Sequence, residues 1–294
     1  MERGMDMMNN LPADGIITRP GIYILKKDYS STKVIGVKID ANDVTLDLNG
    51  YSILNKSVES VTFGIHAAGM KNVTIKNGTI SFFTFGIQAP YSANLTIQDI
   101  GFQGCTYIGA NVGGSHCHVN RCVFRNITGS HTEAYSVGVN VGEADHAVIE
   151  NNTFSGLYRQ PSAPDDMVGE GVGILLGHGT TRCVISNNYI RNSSLRDHTY
   201  GIWAAGVEHI IIDNRIMNFQ MGLMMGKSTA MDNVFFNQEV MPGSVAISGS
   251  GGASERNLIV NYEQAYVHGA VGDVNEIDEP IMSASDCIYG GSSK

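Results

Sequence analysis

The chain has 294 residues, 43% of them hydrophobic and 16% charged, with 35 Gly and only 7 Pro. That is apolar mass enough for a large core, and high Gly with low charge favours tight turns between short strands over a helical bundle. A formal net charge of −9 speaks against a nucleic-acid partner, which asks for a basic surface. It speaks mildly against a polyanionic sugar too, unless a local basic cleft overrides the global sign.

No apolar run of about 18 residues occurs, so no membrane-spanning helix is expected. The opening "MERGMDMMNNLPADG" lacks an apolar stretch of the secretory kind, which gives the expectation of a cytoplasmic protein, or of a secreted one whose leader has been removed. Cys105, Cys117, Cys122, Cys183 and Cys287 are odd in number and form no Cys-x-x-Cys. A disulfide framework is not expected in a chain of this length.

In chain order, "LPADGIITRPGIYILKKDYSS" reads as an N-terminal cap, residues 1–33, with a strand around Ile22–Leu25. A solenoid needs such cover for its open edges. "VTLDLNGYSI" at 44–53 is an early coil, and from Gly64 one outline is written repeatedly: "GIHAAGMKNVTIKNGTI", "GIQAPYSANLTIQDIGF", "GIWAAGVEHIIIDNRIMNF". The aligned glycines are Gly64, Gly86, Gly109, Gly138, Gly173, Gly201 and Gly222, and the polar residues after the β-branched run are Asn77, Asp99, Arg121, Asn151, Asn187, Asn214 and Asn233. The separations are 13, 13, 12, 13, 14, 13 and 11, a near-constant internal period. Three residues further stand Ile80, Phe102, Phe124, Phe154, Ile190, Met217 and Phe236. Within each copy the side chains alternate, as a strand requires. Asn suits the bend because it tolerates the left-handed conformation and its amide can bond its counterpart in the next coil. "VAISGSGGASERNLIVNYEQ" supplies a late coil, and the tail 266–294 leaves the repeat; it is acidic, and covering the last coil, lying along the side and mediating a homo-oligomer all stay open for it.

A period near 22 with about three short strands per turn predicts a parallel β-helix over residues 34–265. With its "NVTIKNGTI" and "AVIENNTFSG" phrases, the chain resembles the right-handed parallel β-helix, pectate-lyase-like superfamily. The resemblance implies an all-β solenoid of roughly nine coils, and it leaves the branch open. The tandem Asp motifs of the polygalacturonase-like branch, the calcium-binding Asp pattern of the pectate lyases and the Asp-Pro-His motif of the alginate epimerases are not found in the sequence.

Coil length varies at one corner alone. From the apolar column to the next Gly the gaps are 6, 7, 14, 19, 11 and 5 residues, so the long loops 125–137, 155–172 and 191–200 fall in three consecutive coils. Long loops on a rigid scaffold carry function. These hold Arg125, His131, Glu133, Tyr135, Tyr158, Arg159, Asp165, Asp166, Glu170, Arg191, Arg196, Asp197, His198 and Tyr200, and the adjoining strands add outward-facing His66, Gln88, Asn111, Asn140, Leu175, Trp203 and Met224.

The resemblance implies a carbohydrate-active enzyme, with uronate lyases and C5-epimerases prominent. Their first step removes a proton next to a carboxylate, which needs a cation, a base and an acid. His198 is the expected base, Tyr135 or Tyr200 the acid, and Arg159 or Arg196 the carboxylate partner. Trp203, His131, Glu133, Asp197 and Asn140 are expected to bind substrate. Calcium on Asp165, Asp166 and Glu170 is an alternative to the arginine, and otherwise no cofactor is expected. Three other readings stay open: a glycoside hydrolase, an intracellular isomerase or cyclase acting on a small molecule, and a non-catalytic glycan-binding or phage-tail module. The clustered His, Tyr and Arg favour an enzyme. Buried core roles are expected for Cys117 and Cys183, and His178 is expected in a solvated turn.

Overall fold

The computed structural model describes residues 8–130, 135–158, 170–267 and 274–276. Among them every paired strand is parallel to its neighbours and no helix occurs. The chain winds through three strands per coil, and like strands stack from coil to coil into three sheets. The first sheet includes Ile35–Ile39, Phe63–His66, Phe85–Ala93, Ile108–Ser115, Ser136–Asp145, Gly171–Leu176, Thr199–Ala204 and Met221–Met225. The second has eleven rungs among the described residues, from Asn9–Asn10 to Ala253–Glu255. The third runs from Tyr29–Ser31 into Asn257–Val267. The described part of the expected cap is itself wound as a coil, since Ile16–Ile17, Gly21–Ile24 and Tyr29–Ser31 pair in register with Ile35–Ile39, Val44–Asp47 and Ser52–Asn55. Of the tail, Val274–Glu276 pairs with Asn257–Ile259.

Alternation within each strand sends one set of side chains inward, and stacking turns each inward position into a continuous column. Phe102, Phe124 and Phe154 are buried in one such column, with ring centroids 4.6 Å apart and planes 5° from parallel at both contacts. Beside this stack runs the glycine column. A Cβ on Gly109 would lie 2.6 Å from a Phe124 ring carbon and 2.7 Å from the Gly138 carbonyl oxygen, and one on Gly138 would lie 2.6 Å from both Phe154 and the Gly173 oxygen. Gly recurs there because aromatic rings and the next coil's backbone leave no room for a side chain.

The bend between the second and third sheets uses a left-handed residue in each coil: Asn77, Asp99, Arg121, Asn151 and Asn187, as the repeat predicts. In the last copies the expected register is one residue out. Asp213 and Asp232 are the left-handed residues (φ 56° in both), while Asn214 and Asn233 turn inward and are fully buried. The inward apolar residues of those coils are accordingly Ile216 and Phe235, where Met217 and Phe236 were expected. The cause is a second polar column. Asn152, Asn188, Asn214, Asn233 and Asn257 form a buried ladder in which each residue's backbone N–H donates to the next side chain's Oδ1 at 2.9–3.1 Å. Each of Asn188, Asn214 and Asn233 also donates from Nδ2 to a backbone carbonyl of the preceding coil, at 2.9 Å.

Candidate active site

The outward positions of the first sheet form two columns. One reads Lys38, His66, Gln88, Asn111, Asn140, Leu175, Trp203, Met224, the set expected from sequence together with Lys38. In it Asn140 donates to Asn111 at 2.7 Å and Asn111 donates to Gln88 at 2.8 Å. The other column reads Phe63, Phe85, Ile108, Val137, Val172, Tyr200, Met221. Ile108, Val137 and Val172 lie outside the solenoid yet are only 5%, 3% and 1% exposed. They form a second apolar cluster with Phe85, Tyr107, Leu175, Tyr200 and Trp203 packed around it. Val137 and Val172 are the last residues of the two longest insertions, so the outer face of this sheet is apolar and covered beside the enlarged corner.

Side chains from that corner pair with one another, and of these Tyr200 packs on this cluster. The Tyr200 hydroxyl hydrogen-bonds the Glu170 carboxylate, and His198 lies close enough to stabilise that carboxylate's charge. Tyr200 also stacks on Trp203, with centroids 5.1 Å apart. The Arg196 guanidinium sits 4.0 Å above the Tyr158 ring, a cation–π contact that fixes its plane. Backbone bonds tie consecutive loops together: Ser136 N–H to the Glu170 carbonyl at 2.8 Å, and Gly171 N–H to the His198 carbonyl at 3.0 Å. His198 adopts a left-handed conformation (φ 55°), its N–H donating to Gln220 Oε1 at 2.8 Å.

Burial raises the Glu170 carboxyl above the ordinary carboxylate range, and His198 and Tyr200 pull it back in part. Burial, then the Glu170 charge and hydrogen bond, raise the Tyr200 phenol above its usual value. Tyr200 therefore keeps its proton at neutral pH, which suits an acid and not a base.

Of the other expected site residues, Tyr135 is exposed just before the strand Ser136–Asp145, Asp197 is exposed beside His198, and Asn140 sits half-buried in the amide ladder. His131, Glu133, Arg159, Asp165 and Asp166 lie outside the described residues. The calcium set is thus represented by Glu170 alone, which is engaged by Tyr200. Among the described residues no group of three or more His, Cys, Asp or Glu could hold a metal. Cys117 and Cys183 are buried as expected, and His178 is exposed in a turn.

The sequence reading did not pair Tyr158 with Arg196 or Glu170 with Tyr200. It also passed over His209, which continues the inward column of Cys117, Ala147 and Cys183 and is 1% exposed. His209 Nδ1 accepts the Cys183 N–H at 3.1 Å, which leaves Nε2–H to donate to Thr180 Oγ1 at 3.2 Å. The sequence signal was available, since "EHIII" aligns with "RCVIS".

The family described as right handed beta helix region matches residues 20–188, more than half of the chain. The protein belongs to that family. No curated protein sequence matches it significantly. Among solved structures it is similar to an alginate lyase from Paenibacillus sp. str. FPU-7, with TM-score 0.60, 12% identity, and 86% of this chain and 91% of that one covered. It is similar also to the Dettilon tailspike protein, with TM-score 0.61, 16% identity, and 88% of this chain against 55% of that one. A third similar structure is the A-module of the mannuronan C-5 epimerase AlgE4 from Azotobacter vinelandii, with TM-score 0.50, 14% identity and coverages of 92% and 88%. At such identities the likeness is one of fold.

Proposed function

We propose that this protein is a carbohydrate-active enzyme that removes the proton next to a carboxylate in a uronate-containing glycan, as a lyase or a C5-epimerase. The observation that carries the reading is the meeting of Glu170, Tyr200, His198 and Trp203 beside the covered outer face of the first sheet. In this reading Arg196, steadied on Tyr158, draws charge from the substrate carboxylate, and His198 takes the proton. Tyr200, whose proton is retained through burial and Glu170, delivers one to the leaving oxygen or to the opposite face. Trp203 offers a flat surface for a sugar ring. The similarity in fold to an alginate lyase and a mannuronan epimerase agrees with this chemistry.

The test is turnover on uronate polymers, neutral glycans and small carboxylic acids by the wild type, Tyr200→Phe, His198→Gln and, as a control outside the site, His178→Ala. Tyr200→Phe and His198→Gln are expected to remain folded and lose at least about 100-fold in kcat, the usual worth of a general acid or base, while the control retains activity. An unsaturated product identifies a lyase, and a changed uronate epimer without cleavage identifies an epimerase. Reducing ends without unsaturation would replace this reading with a hydrolase. No glycan turnover by the wild type would replace it with the small-molecule or binding-module reading.

A further inference from the structure

The outer face of the third sheet is basic in a chain whose formal net charge is −9. Its outward positions fall in two columns. One holds Arg125, Ser155, Arg191, Met217 and Phe236 on successive rungs, and beside it Thr153, Tyr189 and Arg215 face out. The three arginines are exposed. None of the described outward positions of this sheet from Ser52 to Val260 carries Asp or Glu. Among the described residues none of the three arginines forms an ion pair. At the neighbouring bend Asp99 holds Arg121 at 2.8 Å and Asp232 holds Arg256 at 2.6 Å, while Asp213 shares a polar recess with Arg215 without pairing to it. A surface of one sign that the described chain leaves unneutralised suits an acidic partner.

That partner also meets apolar surface, because Tyr189, Met217 and Phe236 stand half-buried between and above the arginines. Val260 faces out in register with Phe236 but is only 2% exposed, so at its rung the outer face is already covered. The next rung is Val274–Glu276, paired with Asn257–Ile259. Residues 277–294 follow it in the sequence, outside the described residues, and carry Asp278, Glu279 and Asp286 against the single Lys294. Pro280 lacks the N–H that a further rung would need. Arg215, Arg191 and Arg125 lie three, four and six rungs from Glu276, which is about 14, 19 and 29 Å at the usual strand spacing. An extended chain covers about 3.3 Å per residue, so Asp286 reaches about 33 Å from Glu276, enough for the whole descent. Ile281 and Met282 reach about 16–20 Å, the level of Met217 and Tyr189.

We infer that residues 277–294 fold back along the outer face of the third sheet, setting Asp278, Glu279 and Asp286 against Arg215, Arg191 and Arg125, with Ile281 and Met282 over Met217 and Tyr189. Exposed ion pairs are individually weak, so several act together with the apolar contact to hold this strap. It ties the last coils to the middle of the solenoid and leaves the outer face of the first sheet free. The inference does not depend on the glycan reading of the site.

Cys287, next to Asp286, supplies the probe, since Cys105, Cys117, Cys122 and Cys183 are buried and do not compete. Ser155→Cys and Thr153→Cys each place a thiol on the rung between those of Arg125 and Arg191. Val148→Cys, on the outer face of the second sheet in the same coil, is the control. The full chain of each variant, checked for a wild-type melting temperature, is oxidised with glutathione disulfide, and the cross-link is mapped by mass spectrometry of its peptides. At least one of Ser155→Cys and Thr153→Cys is expected to form an intramolecular disulfide with Cys287 at least about tenfold faster than Val148→Cys, because docking raises the local concentration of the tail thiol. Adding Arg125→Glu and Arg191→Glu is expected to abolish most of that advantage, and further adding Asp286→Arg to restore part of it, each rate being taken relative to Val148→Cys with the same changes. Equal rates at the three positions, or no cross-link from either folded third-sheet variant, would overturn the strap. Disulfide-linked dimers in place of the intramolecular product would overturn it in favour of the tail of a second copy. An advantage untouched by the charge reversals would overturn the pairing of the acids with the arginines.

Discussion

The two halves of the solenoid build the same corner with opposite chemistry. Just after the bend between the second and third sheets, the early coils place Ile100 and Cys122 inside, whereas the later coils place Asn152, Asn188, Asn214, Asn233 and Asn257 there. The early half fills its interior with hydrocarbon and stacked rings. The later half buries amides, which is tolerable only because each is bonded to the coil before it and, for all but Asn257, to the coil after it. The halves meet where the Cys122 N–H donates to Asn152 Oδ1 at 2.8 Å. Apolar packing is forgiving of small shifts, while a hydrogen-bonded ladder fixes register, because one missing member orphans its neighbours.

Asn214→Ala gives the sharpest test of that contrast. It strands the Asn188 backbone N–H and the Ile185 carbonyl, both bonded to the Asn214 side chain. At about 1–3 kcal/mol for each buried orphan, and with the Asn188 amide also losing its acceptor, a loss of about 3–6 kcal/mol is expected in denaturant unfolding. A loss below about 1 kcal/mol would mean that the ladder adds no specificity to the later half.

Phe124→Ala addresses the early half. Phe124 is fully buried between two parallel rings, and its truncation is expected to cost about 3–5 kcal/mol. Because its neighbours are apolar, part of that loss should be recovered by Phe124→Leu, a rescue without counterpart for Asn214.

Acid is expected to strike the later half first. Burial lowers the His209 pKa from 6.5 to about 4, so the folded chain refuses a proton that the unfolded chain accepts. Stability is therefore complete above pH 6.5 and declines as the pH falls from 6.5 to about 4, by up to about 3 kcal/mol. Equilibrium unfolding across this window would show the slope in the wild type and its loss in His209→Asn. An unchanged slope in that variant would place the acid sensitivity elsewhere.

The smallest effect expected is a gain. Phe82→Asn should stabilise the early half by about 1–2 kcal/mol, the penalty of a left-handed residue bearing a bulky side chain, less whatever the ring's contact with Gly104 contributes. Thermal unfolding would show the gain as a rise in melting temperature, and an unchanged or lower value would mean that the ring's contacts outweigh the backbone strain.

The phenylalanine stack was legible in the sequence because one period governs both spacing and face. A residue 22 or 30 positions on falls on the same column wherever the added length enters a loop. The register slip at Asn214 and Asn233 shows the limit of that reasoning. The pairs Asn151-Asn152, Asn187-Asn188, Asp213-Asn214 and Asp232-Asn233 each offer two residues able to bend, and pattern alone does not say which turns out and which turns in. Choosing Met217 and Phe236 over Ile216 and Phe235 followed from that ambiguity. The candidate site was legible as a place, the corner where three neighbouring coils grow, but not as a set of contacts.

By itself the sequence determined the solenoid, its period, its glycine column and the corner that enlarges, because those follow from local alternation and from a length repeat that stacking must obey. Only the tertiary structure decided that Glu170 bonds Tyr200, that Arg196 lies over Tyr158, that His209 is sealed in the core, and that Val172 is buried outside the solenoid. Each of these pairings joins side chains from different coils or from a loop folded back on a sheet. Such contacts depend on how far each loop leans across the outer face, a distance that no period along the chain encodes.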